Sequence, residues 1–334
     1  EKYLHTDIEK NPLVRFSIKN NKIKYDKKLY KIYKKNNDNR FEDTLGLIKN
    51  TLKWAIKENL DMPNTSLYIY ISDKFPWEIR EKIPIYVYAK PKTKNYLIFP
   101  DNTFQCLTLK KKYKGKCYNW NETKKIILNH CDKKKYNKKD KVIYFKGTST
   151  TRRIHKLREK LEKYAINNNN FKILLDAWES YEPIYNFCNY MYLLNLPGHY
   201  AWSNRLKYLF LMNSNVININ VKVINPNYID DNYITFIDYI IDKNDYINID
   251  YNYYKLNKNN NNRNKIIVYN KKNKKEFNKL IKNLNKTYID LINSPIKYKK
   301  MANKAYKKIK KLNNDRIYQY IYKGIILNNK LGID

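Results

Sequence analysis

Residues 142–157 read VIYFKGTSTTRRIHKL, and residues 191–217 read MYLLNLPGHYAWSNRLKYLFLMNSNVI. The first stretch is an apolar, β-type run that ends at Lys146-Gly147. A cluster of hydroxyls follows (Thr148, Ser149, Thr150 and Thr151), then Arg152 and Arg153, then a helical pattern. The second is again an apolar run, broken at Pro197-Gly198. A polar turn with Ser203 and Arg205 follows it, and then an apolar helix. Each is a strand, turn and helix with hydrogen-bond donors at the turn. Together they are expected to form the two walls of a nucleotide-diphosphate pocket.

Outward from these stretches, strands and helices alternate. Residues 13–34 alternate apolar and polar with KNNK at a turn, which predicts a hairpin. Residues 41–60 place Leu45, Ile48, Leu52, Ala55 and Ile56 at helical spacing. Strands are expected over 67–72, 84–89 and 96–99, and a helix over 122–130. The lysine-rich run 133–141 reads as a linker. Beyond it, the expected helices are 153–164, 181–187, 204–212, 277–293, 296–309 and 315–326. The expected strands there are 142–145, 171–175, 190–196 and 216–223. Residues 234–241 and 247–249 form β-prone pieces, and 256–264 an asparagine-rich surface loop. A parallel sheet flanked by helices is the best reading. The expected division is 1–140, 141–310, and a C-terminal helix in 311–334 that packs back on the N-terminal part.

The chain has 334 residues, 43% of them apolar, so it can bury sizeable cores. Its formal net charge is +37. Such charge suits a polyanion partner. It also suits a lysine-, asparagine-, isoleucine- and tyrosine-rich composition of the kind an AT-rich coding sequence produces, and the lysines are spread along the chain. Nucleic-acid binding is therefore expected only as a non-specific property. The four cysteines, 106, 117, 131 and 188, have no CxxC spacing, and there are four histidines, so no zinc site is expected. Reduced thiols are the default, with a Cys106–Cys117 disulfide as the alternative. No apolar run reaches the ~20 residues of a membrane span. No signal-peptide pattern is present, which fits a cytoplasmic setting, including that of a virus-encoded protein. The first residue is Glu1, so a secretory route stays open.

A turn that leads into a helix exposes free N–H groups and the positive end of the helix dipole, where phosphate binds. Gly147 lets the backbone approach closely. Thr148, Ser149 and Thr150 can donate to phosphate oxygens, and Arg152 or Arg153 can add a charged contact. Neither GxxxxGK[ST] nor GxGxxG occurs. By itself such a hydroxyl run more often caps a helix. Arg205, in the first turn of its helix, opposes the dipole, so its head must find an anion, a carbonyl or solvent. Asp73 follows a strand directly. A carboxylate there can accept a proton from a substrate hydroxyl, or can cap a turn ahead of Pro76.

Taken jointly, LYIYISDKFP, YFKGTSTTRR and YLLNLPGHYAWSNRLKYLFL resemble glycosyltransferase family 90, which includes protein O-glucosyltransferases and capsule-associated xylosyltransferases. The likeness covers about residues 14–322 and includes NSNVINI and the closing MANKAYKKIKKLNNDRIYQY. It implies a GT-B fold, with two Rossmann-like domains facing across a cleft. It also implies inverting, metal-independent transfer of glucose or xylose from a UDP-sugar to a hydroxyl of a glycan or protein. No cofactor is implied beyond the donor. On matched positions Asp73 is the base, while Gly147, Thr148, Ser149, Thr150, Ser203 and Arg205 line the donor wall, with either Arg152 or Arg153. Lys146 departs from the family's usual arginine before the glycine, and Ser149 from an arginine common in the O-glucosyltransferases. The cysteines typical of animal members are missing. The competing expectation is an inert GT-B-like protein that binds polyanions through its charge.

Overall fold

The computed structural model describes residues 12–36, 38–72, 83–108, 116–149, 156–175, 182–198, 202–225, 228–230, 233–255 and 263–333. The chain opens on an antiparallel hairpin of β1 (Leu13–Lys19) and β2 (Lys22–Tyr25). Its turn residues Asn20 and Asn21 have φ of 50° and 58°, the left-handed values that a two-residue hairpin needs and that asparagine tolerates. The hairpin stops well before residue 34. Asp26 accepts from the backbone N–H of Lys28 and Leu29 and starts helix α1 (Lys27–Lys35). Helix α2 (Arg40–Lys57) then buries Phe41, Leu45, Ile48 and Leu52 along one stripe.

Strands β3 (Thr65–Tyr70), β4 (Ile85–Val87), β5 (Ala89–Pro91) and β6 (Leu97–Ile98) follow. The first sheet runs β2-β1-β3-β4-β6, with β3, β4 and β6 parallel. A small antiparallel pair, β7 (Leu107–Thr108) and β8 (Cys117–Tyr118), sits beside it. Cys106 and Cys117 form a disulfide there, against the reduced-thiol expectation, because this pairing brings their Cα atoms to 5.1 Å. Cys131 and Cys188 are free and buried. Helix α3 (Trp120–Cys131) begins on a capping box made by Asn119 and Glu122.

The run read as a linker contains a helical turn at Tyr136–Lys138 and then enters β9 (Asp140–Gly147). Next come α4 (Leu157–Ile166), β10 (Phe171–Leu175), β11 (Tyr190–Asn195), α5 (Leu206–Phe210) and β12 (Asn215–Asn225). Strands β13 (Tyr228–Asp230), β14 (Tyr233–Thr235) and β15 (Ile247–Tyr254) complete the strand set. Three helices close the chain: α6 (Arg263–Asn293), α7 (Pro295–Lys310) and α8 (Asn314–Lys330). Helix α6 begins fourteen residues before the stripe at 277 suggested. Its early turns pack on β15, where Asn273 bonds both backbone groups of Tyr254 and supplies a polar anchor in place of an apolar stripe.

The result is a mixed α/β molecule with parallel sheets. Strand residues of the second sheet alternate between two apolar clusters. Tyr144, Leu193 and Val216 join the cluster that also holds the first sheet, while Ile143, Phe145, Leu194 and Ile217 join a cluster under α6. Between the sheets, Lys207 on α5 pairs with Asp101 at 2.7 Å with both side chains buried, and Tyr208 Oη donates to the Thr103 carbonyl at 3.0 Å. Helix α8 packs on α2 and β3. Tyr86 Oη donates to the Gly324 carbonyl, and Ser66 N–H donates to the Ile333 carbonyl, both at 3.0 Å.

Candidate active site

The second sheet orders its parallel strands β10-β9-β11-β12-β15. The chain moves from β9 to β10 on one side, then returns across β9 to β11 on the other. Strand order therefore reverses between β9 and β11. In open parallel sheets, ligands bind in the crevice beyond the carboxyl ends at such a reversal. Gly147 ends β9 and Asn195 ends β11. The two turns singled out in the sequence thus stand side by side at the switch point.

Two arginines stitch these turns together. Arg205 lies past β11, and its Nη1 donates to the Lys146 carbonyl on the β9 side at 2.7 Å. Arg158 comes from the first turn of α4. Its Nη1 donates to the Thr148 carbonyl and its Nη2 crosses to the Pro197 carbonyl, each at 2.7 Å. Both guanidiniums lie 5.0 Å from the centre of the Phe145 ring, a cation–π distance. Arg158 is 6% exposed, its Nε has no hydrogen-bond partner, and no carboxylate pairs with it among the described residues. Burial, and then the like charge of Arg205, push the Arg158 guanidinium down to about 9. Arg158, a buried cation beside a like charge, makes this spot favourable to an incoming anion.

A side chain at Gly147 would press on this packing. A Cβ there would stand 3.0 Å from Phe145 Cζ and 3.2 Å from Arg205 Nη2. Lys146, in the place of the family's usual arginine, forms an ion pair with Glu182 at 3.3 Å, and Glu182 also accepts from Tyr144 Oη at 2.9 Å. Ser149 donates its hydroxyl to Glu159 on α4, so it braces the turn. Ser203 Oγ accepts from the Arg205 N–H at 3.3 Å, across the start of α5. Thr150, Arg152, Arg153 and Asp73 lie outside the described residues. In sequence, Asp73 comes three positions after Tyr70, the last residue of β3.

Beside the arginines a narrow cleft opens, lined in part by Asn195, Pro197, Trp202, Ser203 and Asn218. A row of amides crosses the sheet at its floor. Asn195 Nδ2 donates to Asn218 Oδ1, and Asn218 Nδ2 to Asn220 Oδ1, both at 2.7 Å. Asn195 is 3% exposed and its Oδ1 has no partner among the described residues. A sheet face at this depth is ordinarily apolar, so an unfilled acceptor here suits a polar ligand. Away from the cleft, ligand atoms of Asp43, Cys106 and Cys117 lie within 4.8 Å of one another, but two of the three are disulfide sulfurs.

The family model described as glycosyl transferase family 90 matches residues 3–233, which span both turns and the end of β3. The chain belongs to glycosyl transferase family 90. No curated protein matches it. This family 90 chain is thus a glycosyltransferase, with a sugar donor and an acceptor as its substrates. Among the described residues, the structure brings Gly147, Thr148, Ser149, Ser203 and Arg205 together. Reading the motif left out Arg158 and Asn195. Arg158 stands five residues past Arg153, inside REKLEK, where it resembles any exposed helix arginine. Asn195 was in view within YLLN, but its chemistry depends on neighbours more than twenty residues away.

Proposed function

We propose that this family 90 glycosyltransferase moves glucose or xylose from a UDP-sugar to a hydroxyl of a glycan or protein, with inversion and without a metal ion. The observation that carries the reading is the arginine-stitched cradle at the strand-order reversal. Arg158 and Arg205 each lie at cation–π distance from Phe145 beside the glycine turn, and Arg158 has no carboxylate partner among the described residues. A diphosphate supplies the missing negative charge. Its charge grows as the bond to the sugar breaks, so cations and turn N–H groups fixed in place stabilise the transition state more than the ground state. That is the work a divalent ion would otherwise do.

In this reading Asp73 takes the acceptor's proton as the acceptor oxygen attacks the anomeric carbon. The bond from that carbon to the diphosphate oxygen breaks, and UDP leaves with the electron pair. Asn195 and Ser203 face the remainder of the donor. The division into residues 1–140 on the acceptor side, 141–310 on the donor side and a closing segment 311–334, in a GT-B arrangement, belongs to the same proposal.

The test is UDP-sugar hydrolysis and UDP binding, each with and without EDTA. Asp73→Asn is expected to abolish turnover while UDP still binds, and Arg205→Ala to weaken UDP binding by about tenfold or more. Retained turnover in Asp73→Asn would remove the base assignment. UDP affinity unchanged in Arg205→Ala would remove the diphosphate cradle, and loss of activity in EDTA would point to a metal-dependent donor site.

A further inference from the structure

We infer that the outer face of α6 is a docking surface for an anionic lipid bilayer. Helix α6 spans 31 residues, Arg263–Asn293, or about 46 Å at 1.5 Å per residue. Leu280, Leu284, Leu291 and Asn273 are buried against the second sheet on one side. At helical periodicity, the opposite arc of about 120° carries Lys271, Lys274, Lys275, Lys282 and Lys286, all exposed. It holds no acidic residue. Asp290 and Glu276 lie outside the arc, near Tyr298 and Lys297 and beside Asn252 respectively.

The same arc is not purely cationic. Ile267 is 52% exposed near one end, and Ile289 and Ile292 are 58% and 38% exposed at the other. The apolar end continues onto α7 through Ile296, 72% exposed, and Ile292 and Ile296 rim one hollow with Lys141 and Lys299. Lysines along the middle and isoleucines at the ends, on one solvent-facing stripe, match a helix that lies in a membrane interface. There the isoleucines enter the acyl boundary and the lysines meet anionic headgroups. Nucleic acid would reward the lysines alone and leave the isoleucines in water. No helix among the described residues is long and apolar enough to cross a membrane, so the contact is peripheral. Helix α6 covers one face of the second sheet, while the candidate site lies at the carboxyl ends of its strands. Docking by this face leaves the cleft open.

The test is flotation of the full chain with vesicles of phosphatidylcholine alone and of phosphatidylcholine with phosphatidylserine at about 3:1. Binding is expected only with phosphatidylserine, and should fall as salt rises. Ile289→Ser combined with Ile292→Ser and Ile296→Ser keeps the charge, and should weaken partitioning by about tenfold. Ile166→Ser, at an isoleucine 74% exposed on α4, should leave it unchanged. Lys271, Lys274 and Lys282 changed to Gln should weaken it far more than Lys19, Lys22 and Lys24 changed to Gln on the β1–β2 hairpin. The inference is overturned by an absence of vesicle binding, by a triple isoleucine variant that binds like the parent, or by equal losses in the two lysine sets. It is equally overturned if a short DNA duplex binds through the α6 lysines and vesicles do not.

Discussion

Arg158 does the most for the cleft of any single side chain. Its fork spans two carbonyls 49 residues apart in sequence, Thr148 and Pro197, and so fixes the spacing of the two turns. Lysine presents one ammonium where arginine presents a planar pair of donors, so Arg158→Lys cannot hold both carbonyls. Arg158→Met leaves the buried Pro197 carbonyl unpaired, at about 1–3 kcal/mol, and the half-buried Thr148 carbonyl at a smaller cost. Both variants are expected to lose stability in urea unfolding and to weaken UDP binding, with methionine the worse. Full UDP affinity in Arg158→Met would show that the two turns keep their spacing without it. This residue also marks where the sequence stops being readable. The hydroxyl run and adjacent arginines point locally to Arg152 and Arg153, because phosphate sites favour donors packed close in sequence; Arg158 has no such local mark. The helix starts at Leu157 and turns Arg158 inward, toward a carbonyl 39 residues away that no local spacing encodes. Gly147 and Arg205 were readable because each is odd in its own place, a glycine at a strand end and a cation at a helix start.

Helix α5 has only five residues, yet it carries Lys207, two positions past Arg205. Lys207 is 1% exposed, donates to both Asp101 oxygens at 2.8 and 2.7 Å, and lies 4.5 Å from the centre of the Phe104 ring. Burial pushes the Lys207 ammonium down and the Asp101 carboxylate pushes it up, burial being the larger effect. The pair anchors α5 to the first sheet and thereby sets where Arg205 begins. Lys207→Met leaves a buried carboxylate uncompensated and should cost about 3–5 kcal/mol, with Asp101→Asn in the same chain restoring much of it. Chemical denaturation of the single and double variants measures this; equal losses in both would mean that the lysine stem, not the charge, holds α5. Helix α2 holds another buried acid. Asp43 is 8% exposed, and burial raises its carboxyl to about 7 despite a 3.2 Å hydrogen bond from Asn102. The folded state therefore keeps a proton that the unfolded chain releases near pH 4. Stability from this group is full below that pH and declines as pH rises through about 7, by up to about 4 kcal/mol. Asp43→Asn should flatten this decline in a pH series of melting temperatures; an unchanged slope would assign it elsewhere.

Across the whole molecule, the alternation of β9, β11 and β12 between two apolar clusters decides how the protein unfolds. Tyr144 and Leu193 face the cluster shared with the first sheet, and their chain neighbours Phe145 and Leu194 face the cluster under α6. Neither cluster can open without pulling strands out of the other. The C-terminal helix α8 adds a second tie, since Asn328 Nδ2 donates to the Ser66 carbonyl at 2.8 Å on the first sheet. These ties join residues far apart in sequence, so the hydrophobic pattern announced the strands but could not say which cluster each residue would join. They also predict how the protein responds to donor binding. A ligand that binds only the folded state stabilises it by about 2.7 kcal/mol at a hundredfold excess over Kd. Because the clusters share strands, UDP should move one cooperative transition upward as a unit, by a few degrees for a chain of this size. Differential scanning calorimetry with and without UDP reads this directly. Two transitions, of which only one moves with UDP, would mean that the second sheet folds independently of the first sheet and that the Lys207–Asp101 pair does not couple them.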